Sequence, residues 1–301
     1  MMLDIGTDQE AVTPGGLDRR QALKRLSAGV AGAAALGGLG AGGLALSSRP
    51  ALAASGLTDA QIFNFALNLE YLEAEYYLRA VSGRGLDPSL TTGVGTQGTV
   101  TGGSLVPFSS SQGAFTAIRI AIDELSHVEF LRGALGAAAV AEPAIDLQTS
   151  FTTLAVAAGL IQSGQTFNPF ASELDFLIGA YIFEDVGVTA YAGAAGAINS
   201  PANVSYAASI LAIEAYHAGA IRLALAQQGK GSTTDAISAL RAKLSGVGDV
   251  GTNAYGNPFN ISNVDASGLA FRRTPAQVLS IVYGGGTSSG LFFPNGINPG
   301  T

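Results

Sequence analysis

Ile122-Asp123-Glu124-Leu125-Ser126-His127 and its echo Ile213-Glu214-Ala215-Tyr216-His217 decide how this chain is read. The sequence has two histidines, and each stands three residues after a glutamate inside an apolar, helix-forming segment. Nine glutamates among the 248 residues from Ala54 onward make that double coincidence roughly one in a thousand by chance, and Glu-x-x-His is the half-site of a two-metal carboxylate bundle. Residues i and i+3 lie on one helix face about 5 Å apart, so a carboxylate and an imidazole can bind one ion without bending the backbone. The two segments also match downstream, because Arg132 and Leu135 follow His127 at the intervals at which Arg222 and Leu225 follow His217. An internal repeat explains the match.

Such a repeat needs two further helices, each donating one glutamate. Asn68-Leu69-Glu70-Tyr71-Leu72-Glu73-Ala74-Glu75-Tyr76-Tyr77 and Tyr181-Ile182-Phe183-Glu184-Asp185-Val186-Gly187-Val188-Thr189-Ala190-Tyr191 supply them, each with a tyrosine seven residues after the glutamate. The expected ligands are therefore Glu70, Glu124, His127, Glu184, Glu214 and His217. Glu73 also falls on the inner half of the first helix and is the alternative to Glu70. Glu75, four residues before Arg79, is expected on the wet side. Asp123 and Asp185 each adjoin a ligand and are candidates to receive the outer N–H of a metal-bound imidazole. Tyr77 and Tyr191 can hydrogen-bond to ligands or carry a radical; equally, they can be ordinary packing residues. Arg132 and Arg222 are expected to pair with Asp or Glu near the bundle ends.

Composition narrows the chemistry. The chain has no cysteine, which excludes disulfides and thiolate-bound metal and leaves oxygen and imidazole as ligands. Net charge is −7, and no basic patch favours nucleic acid. With 48% hydrophobic residues there is enough apolar surface for one large core, while 41 glycines call for long irregular connections. No Gly-x-x-x-x-Gly-Lys motif stands in the glycine-rich stretch, and nucleotide binding is not expected.

A capping box at Thr58 to Gln61 starts a first helix that runs to about residue 82. A long connection follows to residue 113, with room for a short hairpin. Further helices are expected over about 114–141, 152–162, 172–199, 201–228, 235–244 and 275–282. The fold class is all-α: a four-helix bundle over residues 54–246, including a short fifth helix, with an extension over 247–301 packed on it.

Asp18-Arg19-Arg20-Gln21-Ala22-Leu23-Lys24, an uncharged run from Leu26 to Ser48, and Ala51-Leu52-Ala53 resemble a twin-arginine export signal cleaved after residue 53. By length alone the run also suits a membrane anchor. Export in folded form suits a protein whose cofactor is inserted in the cytoplasm, and it implies a periplasmic or extracellular location. Membrane contact is then confined to export.

Val264-Asp265, Arg273-Thr274-Pro275-Ala276-Gln277-Val278-Leu279, Ile281-Val282-Tyr283-Gly284 and Phe292-Phe293-Pro294-Asn295-Gly296, with the first helix, resemble the desiccation-related ferritin-like proteins of plants and bacteria. The likeness spans Leu57 to Asn298. It implies a ferritin-like bundle in a stress-associated group, and no particular substrate.

Two divalent ions would cancel the −4 of Glu70, Glu124, Glu184 and Glu214. Carboxylate and imidazole ligands with open positions suit iron or manganese better than zinc. The expected function is a stress-related oxidoreductase, ferroxidase-like or catalase-like, acting on peroxide, dioxygen or ferrous iron. Its rival is a non-catalytic protective protein in which metal stabilises the fold. Small oxidants or metal ions are the expected partners, and a homo-oligomer is allowed. Iron storage in a shell fits poorly with the long appendages.

Overall fold

Thr58 caps α1 (Asp59–Ser82) through the reciprocal bonds with Gln61 that the sequence calls for, and Gly83 ends it at φ 72°. This is a computed structural model, and it describes residues 56–300. The export-signal reading, on residues 1–53, lies outside the described residues. Beyond α1 the chain forms α2 (Ser111–Leu135), α3 (Ser150–Ala157), α4 (Glu173–Ala194), α5 (Pro201–Gln227), α6 (Gly231–Ser245) and α7 (Pro275–Val282). The described residues are mostly helical, with two short strands, β1 (Val100–Thr101) and β2 (Ile145–Asp146).

The four long helices pack as two pairs, α1 with α2 and α4 with α5. The inner members are α1 and α4. Every residue from Ala66 to Tyr77 and from Phe176 to Tyr191 is buried, so neither helix has a wet face over those turns. Tyr76 joins them by stacking on Phe176, with ring centroids 5.4 Å apart, and by donating to the Phe176 carbonyl at 2.7 Å. In contrast α2 and α5 keep exposed faces. The single-glutamate helices are thus central, and the Glu-x-x-His helices are peripheral.

Segments with little hydrophobic pattern cover the inner helices. The connection after α1 forms no hairpin; β1 instead pairs in parallel with β2, Val100 opposite Ile145. It zips onto the stretch after α2 through Val94 N–H to Ala139 O and Gly98 N–H to Glu142 O, both 2.9 Å. Glycine makes that approach possible, since a Cβ at Gly98 would lie 2.0 Å from the Ala144 nitrogen. The same zipper explains why α2 stops at Leu135 and not at residue 141: Gly136 takes φ 55°, and residues 139–141 become ladder partners. The short α3 likewise ends before the expected 162, because Gly159 adopts φ 72°.

Glu75 is a correction to the sequence reading. It is buried, and Gly85 passes so close that a Cβ there would lie 2.1 Å from Glu75 Oε2. Pairing with Arg79 and an N–H from Leu86 at 2.7 Å satisfy it.

The tail closes the other side. Phe292 packs against Phe151 and Phe183, and Asn298 exchanges hydrogen bonds with Asn68 of α1. Three buried arginines fasten α5, α6 and the tail to α4: Arg222 and Arg241 meet Asp185 at 2.8 and 2.7 Å, while Arg241 and Arg273 meet Asp249 at 2.8 and 2.9 Å. Asp249→Ala leaves two buried guanidinium groups short of a counter-charge, which costs about 3–5 kcal/mol. Urea unfolding at pH 7 should show that loss. A change under about 1 kcal/mol would mean that the network is not a structural tie.

Candidate metal centre

Glu70 and Glu73 of α1, Glu124 and His127 of α2, Glu184 of α4, and Glu214 and His217 of α5 are all buried. His127 Nδ1 lies 3.2 Å from Glu70, 3.3 Å from Glu124 and 3.6 Å from Glu214. His217 Nδ1 lies 2.9 Å from Glu124 and 3.5 Å from Glu184. Two ligand groups result, Glu70–Glu124–His127–Glu214 and Glu124–Glu184–His217, and in each the donor atoms fall within 4.8 Å of one another. Glu124 belongs to both. The six residues expected from the repeat are therefore brought together around two positions.

Glu70, not Glu73, stands in the group with His127. Glu73 is in the same chamber, where Glu70, Glu124 and Glu184 act on it electrostatically. Gly187, one turn after Glu184, is the residue that sequence reasoning passed over. A Cβ at this position would lie 2.1 Å from Glu214 Oε2, so a larger side chain would displace that carboxylate. A glycine in mid-helix costs about 1 kcal/mol relative to alanine, and that cost was the readable signal.

The tyrosines cross over. Tyr77 donates to Glu184, and Tyr191 donates to Glu70, each reaching the glutamate of the opposite inner helix. Burial pushes both phenols well above their ordinary pKa, so they remain hydrogen-bond donors at neutral pH. Asp123 meets His217 Nε2 at 3.2 Å, the orienting contact expected of it. Asp185 does not fill the matching role. One residue along a helix is a rotation of about 100°, which on α4 turns Asp185 away from the histidines and toward Arg222 and Arg241. Arg222 has its acid, whereas Arg132 donates to Tyr71 and the Thr92 carbonyl instead.

Charge in the chamber is lopsided. Burial raises Glu70 to about 7 and raises Glu184; burial, then neighbouring carboxylates, raise Glu73 and Glu214 well above the usual range. Glu124 is raised by burial as well, but the two imidazoles outweigh that and hold it below the usual range. For both histidines burial lowers the pKa, yet the surrounding glutamates push it up to about 12. Without metal, protons supply the positive charge that the carboxylates demand.

Hydrogen bonding shows that this arrangement suits a cation. Glu124 Oε1, Glu184 Oε2, both Glu214 oxygens and His217 Nδ1 are buried without an aligned hydrogen bond; Glu124 Oε1 and His217 Nδ1 are 2.9 Å apart but not in hydrogen-bonding geometry. Each such atom costs about 1–3 kcal/mol when left unsatisfied. Divalent ions accept these oxygen and nitrogen donors directly, so the cluster could hold a metal ion.

Residues 58–227, more than half of the chain, match the ferritin-like domain family. The desiccation-related protein PCC13-62 of Craterostigma plantagineum is 31% identical over 245 residues, covering 74% of this chain and 76% of that protein. The ferritin-like catalase Nec2 of Nesocodon mauritianus is 29% identical over 265 residues, covering 80% and 83%. No solved structure matches. Bundle, buried Glu/His cluster and relatives agree, and the chain belongs to the ferritin-like domain family.

Proposed function

We propose that this chain is an exported ferritin-like protein that holds two divalent ions, iron or manganese, and uses them to disproportionate hydrogen peroxide. The observation that carries the reading is the pair of ligand groups sharing Glu124. Glu70, His127 and Glu214 would hold one ion, Glu184 and His217 the other, with Glu124 spanning both. When bound, the ions would supply two-electron redox capacity and Lewis acidity. In the net reaction one peroxide is oxidised to dioxygen and a second is reduced to water. The chain's own part is to hold the ligands and keep bulk water out. Tyr77 and Tyr191 fix the carboxylates of Glu184 and Glu70, Asp123 fixes the His217 ring, and the chamber walls are buried side chains of α1 and α4. The relative named a catalase supports the choice of peroxide. Export rests on Arg19, Arg20 and the Ala51-Leu52-Ala53 end.

An oxygen electrode tests the activity. The metal-loaded protein is expected to release about half a mole of dioxygen per mole of peroxide consumed, the catalase stoichiometry. Full metal content with no dioxygen release would favour a non-catalytic protective role in which metal stabilises the fold.

A further inference from the structure

Among the residues of the two ligand groups, the imidazoles come nearest to solvent. Glu70, Glu124, Glu184 and Glu214 are 0–1% exposed, against 7% for His127 and 5% for His217. Both histidines are on the peripheral helices α2 and α5. Toward one end Phe130 packs edge-on against Tyr206, with ring centroids 5.0 Å apart, and bridges the two helices. Toward the other end they part around a groove of about 380 Å³ whose floor includes His217 and Asp123. A second hollow of about 260 Å³ continues it, sharing Thr116 and Ala220 as walls. A hollow on the side of α1 and α4, lined by Phe63, Leu69 and Tyr191, has about 20 Å³, room for roughly one water, and is apolar.

Over the floor of the groove lies a single ion pair. Arg119 grips both oxygens of Asp123, and Asp123 Oδ2 is also the atom that meets His217 Nε2. The Arg119 side chain is 60% exposed. Exposed i,i+4 pairs are worth well under 1 kcal/mol, so the guanidinium can swing away at little cost and uncover a carboxylate beside the histidine.

We propose that the groove between α2 and α5 is the access route to the metal centre, with the Arg119–Asp123 pair as its gate. Phe115, Ile120 and Ile213 give it apolar walls. With one carboxylate at its floor, the route admits small divalent cations and uncharged molecules of peroxide size, and the guanidinium repels cations until it moves. The inference rests on the metal centre proposed above.

Cobalt(II) uptake by the metal-free chain, followed by visible absorption, reads access without any turnover. Ala220→Trp fills the groove, and uptake should slow at least about tenfold. Arg119→Ala removes the gate, and uptake should quicken about threefold or more. Ala208→Trp, on the exposed face of the same helix, is the control and should load at the wild-type rate. All four proteins should reach the same final cobalt content. Equal rates in all four would overturn the route while leaving the metal centre standing. If Ala220→Trp does not fold, judged by circular dichroism, a wild-type rate in Arg119→Ala overturns it alone. Failure of the wild-type chain to take up cobalt would overturn the metal centre itself, and the route with it.

Discussion

Glu124→Gln is expected to strip both ions from the protein. Glu124 is the one residue in both ligand groups, and its two oxygens face different histidines, Oε1 toward His217 and Oε2 toward His127. Glutamine keeps the shape but loses the charge, and its amide nitrogen cannot serve as a ligand. Affinity at each position should fall at least about a hundredfold, more than the cost of losing an outer partner. The control is Glu142→Gln. Glu142 is also buried, and burial together with nearby Glu75 pushes it up to about 8, so at neutral pH it already carries a proton. Glutamine imitates that state, and the variant should bind the wild-type amount of metal. Elemental analysis of the purified variants checks both. Full metal content in Glu124→Gln would remove the basis for a shared carboxylate.

Metal should also reverse how stability depends on pH. In the metal-free chain Glu70, Glu73, Glu184 and Glu214 have pKa values above the ordinary 4.5. The folded state then keeps protons that the unfolded chain releases. The stability this gives is present below about 4.5 and drains away as pH rises toward the folded values, about 7 for Glu70. His127 and His217 act with the same sign but later, since their contribution begins to fall only above 6.5. Glu124 has the opposite sign, and its contribution is lost on acidification below 4.5, outside the range from pH 5 to 7. The metal-free melting temperature should therefore fall between pH 5 and 7. Ions compete with those protons, and each proton displaced adds about 1.4 kcal/mol of binding per pH unit. With two displaced, the gap between metal-loaded and metal-free melting temperatures should widen by about 10 °C or more over the two units. A gap that stays constant or narrows would mean that these glutamates do not gather around metal.

How much of this could be read from sequence depended on how local the signal was. Glu-x-x-His is complete within one turn, and its repetition with Arg and Leu at matched intervals located two helices and four candidate ligands. The tyrosines seven residues after Glu70 and Glu184 pointed to the correct face, although their crossing to the opposite helix is a tertiary fact. Glu70 and Glu73 are three residues apart on one face, so only the position of His127 separates them. Glu75 was misjudged because an i,i+4 pair with Arg79 normally signals water. Here a glycine-rich connection, which carries no hydrophobic period, lies over it. For the same reason β1 pairing with β2 was invisible, and the connection offered only room for a short hairpin. Arg132 and Arg222 occupy one repeat position yet have different partners, because Asp185 of α4 stands beside Arg222, whereas Arg132 lies against the connection after α1.

Anomalous diffraction from a crystal grown with manganese addresses the metal centre most directly. Two peaks per chain are expected, one among Glu70, Glu124, His127 and Glu214 and the other among Glu124, Glu184 and His217. A map with no peak inside the bundle would contradict the metal centre outright, and a single peak at the His127 group alone would contradict the pair.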